Sequence, residues 1–173
     1  MRSPWFWIGL LIGLLILPIA GYLYVSFGYA PVATAGPPLP LEKTVTRMAL
    51  NARIRKEAPK ESPVAVTDAN LIEGARSYRH YCSVCHGLIG QTDSPTSKGM
   101  FPKPPQLFHH GVTDDPVGET YWKIENGIRL TGMPAYRGSL IEDEIWKIAL
   151  MLANADKLPA QATDILKQPL PAE

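Results

Sequence analysis

Cysteine is rare in this chain of 173 residues, which contains only 2 of them, Cys82 and Cys85. One pair cannot form the framework of several disulfides that holds many small secreted domains together. Because neither cysteine lies near the N-terminus, none can carry an N-terminal lipid anchor. Any attachment to a membrane must therefore come from the polypeptide itself.

Charge is also sparse and balanced. Charged residues make up 19% of the chain, and the formal net charge is +1. No run of like charge is long enough to act as a binding tail for a polyanion. We therefore expect no nucleic-acid partner.

After residue 60 the chain lacks the alternation of apolar and polar residues that marks a half-buried strand. Thr67 and Asp115 are placed to cap two helices, and Ser139 with Glu142 predicts a capping box for a third. We therefore predict an all-α domain over residues 67–158. Its helices are expected within the stretches 67–85, 114–127 and 139–154.

The segments on either side of this domain are predicted to be extended. Many of the 17 prolines fall within residues 31–63 and 95–116, where they break helices and favour extended chain. Residues 31–66 are therefore predicted to form a semi-rigid tether. Inside that segment, Leu41, Val45 and Met48 have helical spacing, which indicates a short helix that is either solvated or docked on a partner or on headgroups. Residues 159–173 are interpreted as a C-terminal tail.

The N-terminal stretch from Trp5 to Phe27 carries no charge. As a helix of about 23 residues it would be about 34 Å long, enough to cross a hydrocarbon core of about 30 Å. A cleaved secretory signal is the competing interpretation, since "ATA" at residues 33–35 fits a cleavage site, but the apolar run exceeds the usual 7–15 or so residues. We therefore predict a membrane anchor over residues 1–30, with residues 5–27 contacting lipid.

The two cysteines lie in the motif "CSVCH". C-x-x-C-H is the attachment pattern for c-type haem, in which each thiol adds to a vinyl group and the histidine binds iron. Cys82 and Cys85 lie on the same side of one helical turn, so both can reach one porphyrin edge, and His86 follows directly. The spacing predicts covalently bound haem c.

Two other interpretations of the cysteine pair were weighed. A redox-active dithiol is typical of a strand–helix unit with a parallel sheet, and the sequence shows no strand pattern there. Structural zinc needs four ligands, which His109 and His110 could complete only across a long loop.

Over about residues 67–158 the chain contains four motifs in this order: "EGARSYRHYCSVCHG", "FPKPPQLF", "IENGIRLTGMPAY" and "IEDEIWKIALML". Together they resemble the motifs of the small single-haem class I c-type cytochromes. The resemblance implies a small helical bundle around one haem c. It also implies that the first and last helices cross near three residues, Gly74, Tyr78 and Trp146.

The second axial ligand of the iron decides between an electron carrier and a catalyst or sensor. The resemblance implies Met133, which lies in the loop bounded by Gly132 and Gly138. Met100 stands in a similar context, but only a short loop separates it from His86. His109 or His110 would give a bis-histidine haem, and open coordination is a further alternative.

The resemblance also implies an outer hydrogen bond to the axial histidine. A backbone carbonyl at Pro104 or Pro105 is expected to accept the Nδ1 proton of His86 and fix its tautomer. The alternative is that these prolines form a plain turn.

The predicted function is single-electron transfer, without transformation of a substrate, by a membrane-anchored cytochrome. Haem c is attached outside the cytoplasmic membrane in bacteria, so the haem domain is expected on the periplasmic side. The positive-inside rule, counting Lys43, Arg47 and residues 53–56, favours the opposite orientation, and the chemical argument overrides it.

Partners of two kinds are expected. The chain would be either a subunit of a respiratory or photosynthetic complex, such as alternative complex III, or a free shuttle between enzymes. The rival function is a haem sensor or peroxidase with an open or displaceable sixth ligand. Four basic residues near the loops form either a rim that steers an acidic partner or ordinary solvated charge: Lys98, Lys103, Arg129 and Arg137.

Overall fold

The computed structural model describes residues 4–91, 93–110 and 113–169, with the side chains of His109 and His110 left aside. Within these residues the backbone forms helices, and its one β feature is an isolated bridge between Arg137 and Leu140. This confirms the predicted all-α fold. The helices are α1 (Pro4–Ser26), α2 (Glu42–Glu57), α3 (Asp68–Tyr81), α4 (Ser83–His86), α5 (Pro95–Gly99), α6 (Leu107–His110), α7 (Val117–Asn126), α8 (Glu142–Ala153) and α9 (Ala160–Lys167).

The chain divides between Glu42 and Lys43 into two compact units. In the first unit, α1 is 23 residues long, its mean hydropathy reaches 2.3, and none of its described residues is buried. It is the one helix in the described ranges that is long and apolar enough to cross a membrane. Its length and composition make it a candidate anchor. The outer ends of the predicted anchor and tail, residues 1–3 and 170–173, lie outside the described residues.

The core of the second unit forms where α3 crosses α8. A Cβ atom at Gly74 would lie 2.2 Å from the carbonyl oxygen of Lys147, so only glycine lets the two backbones approach this closely. Tyr78 on α3 and Ile148 on α8 are fully buried beside the crossing. The ring of Trp146 stacks on Tyr121 of α7 at a centroid distance of 4.0 Å, which joins the third long helix to the same core.

The helix starts differ from those predicted for α7 and α8. α8 begins at Glu142, and the carboxylate of Glu144 accepts the backbone N–H of Ile141 at 3.1 Å. Ser139 instead lies in a turn in which its N–H donates to the carbonyl of Tyr136. Similarly, Asp115 does not cap α7.

The N-cap of α7 is Pro116, and the Asp115 carboxylate pairs with the ammonium of Lys123 at 3.1 Å. The Asp115 side chain, which the sequence pattern predicts as the cap of α7, is therefore used in an ion pair instead.

The segment after Leu158 is also not a plain tail. Residues 160–167 form α9, and Ala162 and Leu166, one helical turn apart, are fully buried in the core. The guanidinium of Arg79 on α3 donates to the carbonyls of Ile165 at 3.3 Å, of Pro169 at 2.8 Å and of Gln168. These bonds satisfy carbonyls that a helix end leaves free, so the folded domain extends to the last described residues.

Residues 43–66 belong to the second unit as well. The tether predicted over residues 31–66 is therefore shorter than its sequence indicates. The indole N–H of Trp122 on α7 donates to the Glu57 carboxylate at 3.3 Å. A Cβ at Gly118 would lie 1.7 Å from the carbonyl oxygen of Pro59. The C-terminal end of α2 thus packs on the start of α7, while Met48 remains 66% exposed.

We predict that Gly74→Ala destabilises the second unit. A glycine-to-alanine change inside a helix ordinarily stabilises it by about 1 kcal/mol, but here the new methyl group would overlap the Lys147 carbonyl. Overpacking of this kind costs about 1–3 kcal/mol. Chemical denaturation of the full chain in detergent, followed by circular dichroism, measures the loss.

The matched control for that variant is Gly99→Ala. No atom lies within 4 Å of a Cβ at Gly99, so its unfolding midpoint should not fall. Equal midpoints for the two variants would contradict the close crossing of α3 and α8.

Candidate haem site

A cavity of about 390 Å³ lies in the second unit, within the range of about 300–1,000 Å³ found for small-molecule sites. Its walls come from the end of α3, from α4, α7 and α8, and from the loops around residues 100–107 and 128–136. Aliphatic side chains of Ile124, Ile148 and Leu152 form part of the wall. The structure brings together here all the residues predicted for the site, namely Cys82, Cys85, His86, Pro104, Pro105 and Met133.

The cysteine motif is positioned by two consecutive helical turns. α3 ends at Tyr81, and the N–H of Cys82 still donates to the carbonyl of Tyr78 at 2.9 Å. The carbonyl of Cys82 then accepts the N–H groups of Cys85 at 3.1 Å and His86 at 2.9 Å. This turn places both thiols and the imidazole on the cavity wall.

Cys82 and Cys85 form no disulfide with each other. Burial raises the pKa of Cys82 to about 12, with a further contribution from the charge of Cys85, and burial also raises the pKa of Cys85. Burial thus disfavours the charged thiolate form of both side chains. The described residues contain no cluster of three or more His, Cys, Asp or Glu side chains that could hold a metal ion. The histidines invoked for zinc, His109 and His110, have side chains outside this description.

The imidazole of His86 faces a backbone carbonyl. Its Nδ1 lies 2.9 Å from the carbonyl oxygen of Pro105, and as a donor to that oxygen it leaves Nε2 with a free lone pair. Burial lowers the pKa of His86, and the bond to Pro105 opposes that shift. Of the two prolines expected as alternatives, the structure gives this hydrogen bond to Pro105, while Pro104 also lines the cavity.

Gln106 was not identified from the sequence. Its side-chain amide donates to the carbonyl of Cys85 at 3.1 Å, and its Oε1 is buried without a hydrogen-bond partner. Gly87 has a φ of 74°, and a Cβ there would lie 2.1 Å from that oxygen. The loop before α6 is therefore attached to the cysteine turn at both His86 and Gln106.

A second loop carries Met133. The N–H of Met133 donates to the hydroxyl of Thr131 at 3.1 Å, and its carbonyl accepts the N–H of Ile128 at 3.2 Å. Gly127, with a φ of 64°, packs against this loop so closely that a Cβ would lie 2.7 Å from the carbonyl carbon of Pro134. Thr131 and Gly127 fix the loop backbone. Gly127 is expected from the sequence to end the helix over 114–127, and it is the C-cap of α7; the sequence assigns no role to Thr131.

The predicted basic rim is partly neutralised. Lys103 pairs with Asp93, and Arg137 pairs with Glu125 at 3.3 Å. These pairs favour the interpretation as ordinary surface charge over a strongly basic docking ring.

The residues present fit a haem c. Two thiols and an imidazole lie on one helical turn, a thioether is presented by another loop, and the surface of the cavity wall is mainly apolar. Imidazole nitrogen and thioether sulfur are both axial ligands of haem iron. The fold and the cavity therefore define the class of the second unit as an all-α haem-binding domain.

Comparison with known proteins gives a more specific answer. Residues 69–150 match the family model described as cytochrome c oxidase, cbb3-type, subunit III. A search of curated proteins finds no match. A chain of the Kuenenia stuttgartiensis reducing HAO-like protein complex is 22% identical, with a TM-score of 0.45 over 56% of this chain and 48% of that chain. The present chain thus spans about half the length of that structure. Residues 69–150 are thus a c-type cytochrome domain, a kind of domain that binds haem c covalently.

We predict that Tyr78→Phe loosens the cysteine turn. The Tyr78 hydroxyl donates to the carbonyl of Gly87 at 2.9 Å, and burial raises the pKa of this tyrosine well above its usual value. Removing the donor leaves a carbonyl without its partner at a cost of about 1–3 kcal/mol. Thermal unfolding of the full chain, with haem attached, measures this loss.

Tyr29→Phe serves as the control, because Tyr29 is 71% exposed and its ring stacking on Tyr24 survives the change. An unchanged unfolding temperature for Tyr78→Phe would show that this hydrogen bond does not hold the turn.

Proposed function

We propose that the chain is a membrane-anchored, single-haem class I cytochrome c that carries one electron at a time and transforms no substrate. In this proposal the Cys82 and Cys85 thiols add across the two haem vinyl groups, and His86 Nε2 and Met133 sulfur bind the iron. The observation that carries it is the single cavity that the C-x-x-C-H turn and the Met133 loop both line.

The side chains around the cavity suit an electron carrier. Bound haem supplies a one-electron couple between ferric and ferrous iron. Ile124, Ile148 and Leu152 exclude water from its faces, and a low-dielectric wall disfavours the more highly charged oxidised iron. The neutral thioether of Met133 acts in the same direction. We therefore propose a positive midpoint potential.

The imidazole is held ready for this role. The Pro105 carbonyl accepts the Nδ1 proton of His86, which fixes the ring orientation and makes Nε2 more basic. A fixed imidazole and a fixed thioether need little rearrangement when the iron changes charge. This rigidity favours rapid electron transfer over the binding of an external ligand.

We propose that α1 anchors the chain in the cytoplasmic membrane of a bacterium, with the haem domain on the periplasmic side. The support is the length and apolar composition of α1 and the site of haem c attachment in bacteria. The segment outside both α1 and the second unit is short, since residues 27–42 can span at most about 58 Å when fully extended. So short a connection favours a subunit of a respiratory complex over a wide-ranging shuttle.

Optical spectra of the purified full chain test the haem ligation. We predict that the ferric protein shows the weak red absorption band of methionine-ligated iron and that the ferrous protein does not bind carbon monoxide readily. Met133→Ala should lose the band, bind carbon monoxide and show a lower midpoint potential, because the thioether that favours ferrous iron is gone.

Met48→Ala is the matched control, since Met48 lies on α2 and is 66% exposed; its spectra should equal those of the unmodified chain. A wild-type protein that lacks the band and binds carbon monoxide would instead favour the sensor or peroxidase function.

Extraction in mild detergent tests the complex. We predict that the cytochrome elutes with other membrane subunits and that replacing Gly9 and Gly13 together by isoleucine releases it, because small residues one turn apart let a neighbouring helix approach. Gly21→Ile is the control, as Gly21 lies roughly a quarter turn away from that face. A wild-type cytochrome that always elutes alone would support the free shuttle.

A further inference from the structure

Two methionines from different parts of the chain line the haem cavity, Met100 and Met133. Met133 is the proposed iron ligand, and Gly132 precedes it directly. A Cβ at Gly132 would lie 1.8 Å from Cε of Met100 and 3.4 Å from its Sδ. The end of the Met100 side chain therefore occupies the space that any larger residue at position 132 would need.

The backbone does not require glycine at position 132. Its φ lies outside the left-handed region, unlike that of Gly127, so an L-residue could adopt the same conformation. The reason for glycine here is the contact with Met100. Since glycine is also the most flexible residue of the loop, this contact restrains the loop immediately before Met133.

Met100 is in turn attached to the cysteine turn. Its N–H donates to the carbonyl of Ser97 at the end of α5. α5 is capped by Ser94, whose hydroxyl accepts the N–H of Ser97 at 3.0 Å and donates to the carbonyl of Val84 at 2.5 Å. Val84 lies between the two haem-binding cysteines. A chain of contacts thus runs from the cysteine turn, through α5 and Met100, to Gly132.

We propose that Met100 is a positioning residue for the axial methionine: its thioether packs on Gly132 and holds the Met133 loop at a fixed place relative to the C-x-x-C-H turn. This inference rests on the proposed function, in which Met133 binds iron. From the sequence, the short loop between His86 and Met100 made Met100 a poor candidate for the second axial ligand. The structure gives Met100 a different place, since its methyl group lies beside Gly132, the residue that precedes Met133. Met100 thereby sets how firmly the sulfur of Met133 stays on the iron.

The first test uses the full chain with haem attached and the variants Met100→Ala and Met100→Leu. Met100→Ala empties the space beside Gly132, so states in which Met133 is off the iron become more populated. The red band should weaken, the midpoint potential should fall, and carbon monoxide should bind about tenfold faster. Met100→Leu refills much of that space and should restore all three properties.

The second test keeps Met100 and changes its neighbour. In Gly132→Ala the new methyl group displaces the end of Met100, so the same three properties should move in the same direction as in Met100→Ala. The double variant puts a methyl group back where the Met100 methyl was. Its effect should be smaller than the sum of the single effects, as expected for two residues in direct contact. Gly21→Ala in α1, with no atom within 4 Å of its Cβ, is the control and should change nothing.

The outcomes distinguish failure of the positioning role of Met100 from failure of the proposed function. The positioning role is overturned if the wild type shows the red band and Met100→Ala and Gly132→Ala leave the band, the midpoint potential and the carbon monoxide binding rate unchanged. That result leaves Met133 ligation intact. A band that survives Met133→Ala but disappears in Met100→Ala makes Met100 the ligand and overturns the positioning role too. A wild type without the band overturns the proposed function itself, before any variant is measured.

Discussion

The contact between the backbones of α3 and α8 is the constraint from which the site follows. Because Gly74 has no side chain, α3 lies against the Lys147 carbonyl, and the two helices share one core around Tyr78 and Ile148. α3 runs directly into the turn that carries both cysteines, and α8 supplies Ile148 and Leu152 to the cavity wall. A wider crossing would separate the C-x-x-C-H turn from the α8 side chains that line the same cavity.

Two loops complete the cavity on this frame. Each is held mainly by hydrogen bonds between a side chain and the backbone rather than by its own secondary structure. One is attached to the cysteine turn through Pro105 and Gln106, and the other is closed by Ile128 and Thr131 on the end of α7. Loops fastened in this way leave little freedom to the imidazole of His86, which bonds to the first loop, and to the thioether of Met133 on the second. An electron carrier benefits from such rigidity, since the surroundings of the iron then need to change little between its two charge states.

Prediction from the sequence succeeded where the pattern is local and strong, as in the apolar periodicity of α3 and α8 and the uninterrupted apolar run of α1. It was less accurate at boundaries. Ser139 and Asp115 satisfy the local rules for caps, but a tight turn uses the first and an ion pair with Lys123 uses the second. The sequence does not predict α9, because eight residues with one buried pair, Ala162 and Leu166, give only a weak periodic signal. The helix becomes part of the core only through its packing against α3.

The sequence by itself determined the local geometry of the C-x-x-C-H turn. Cys82, Cys85 and His86 are neighbours within one helical turn, and helix geometry alone sets their relative positions. Only the tertiary structure decided which carbonyl faces His86, that Gln106 joins the turn, and that Met100 and Met133 share a cavity. Those contacts join residues far apart in the chain, and their distances depend on how helices and loops pack, which no local spacing encodes.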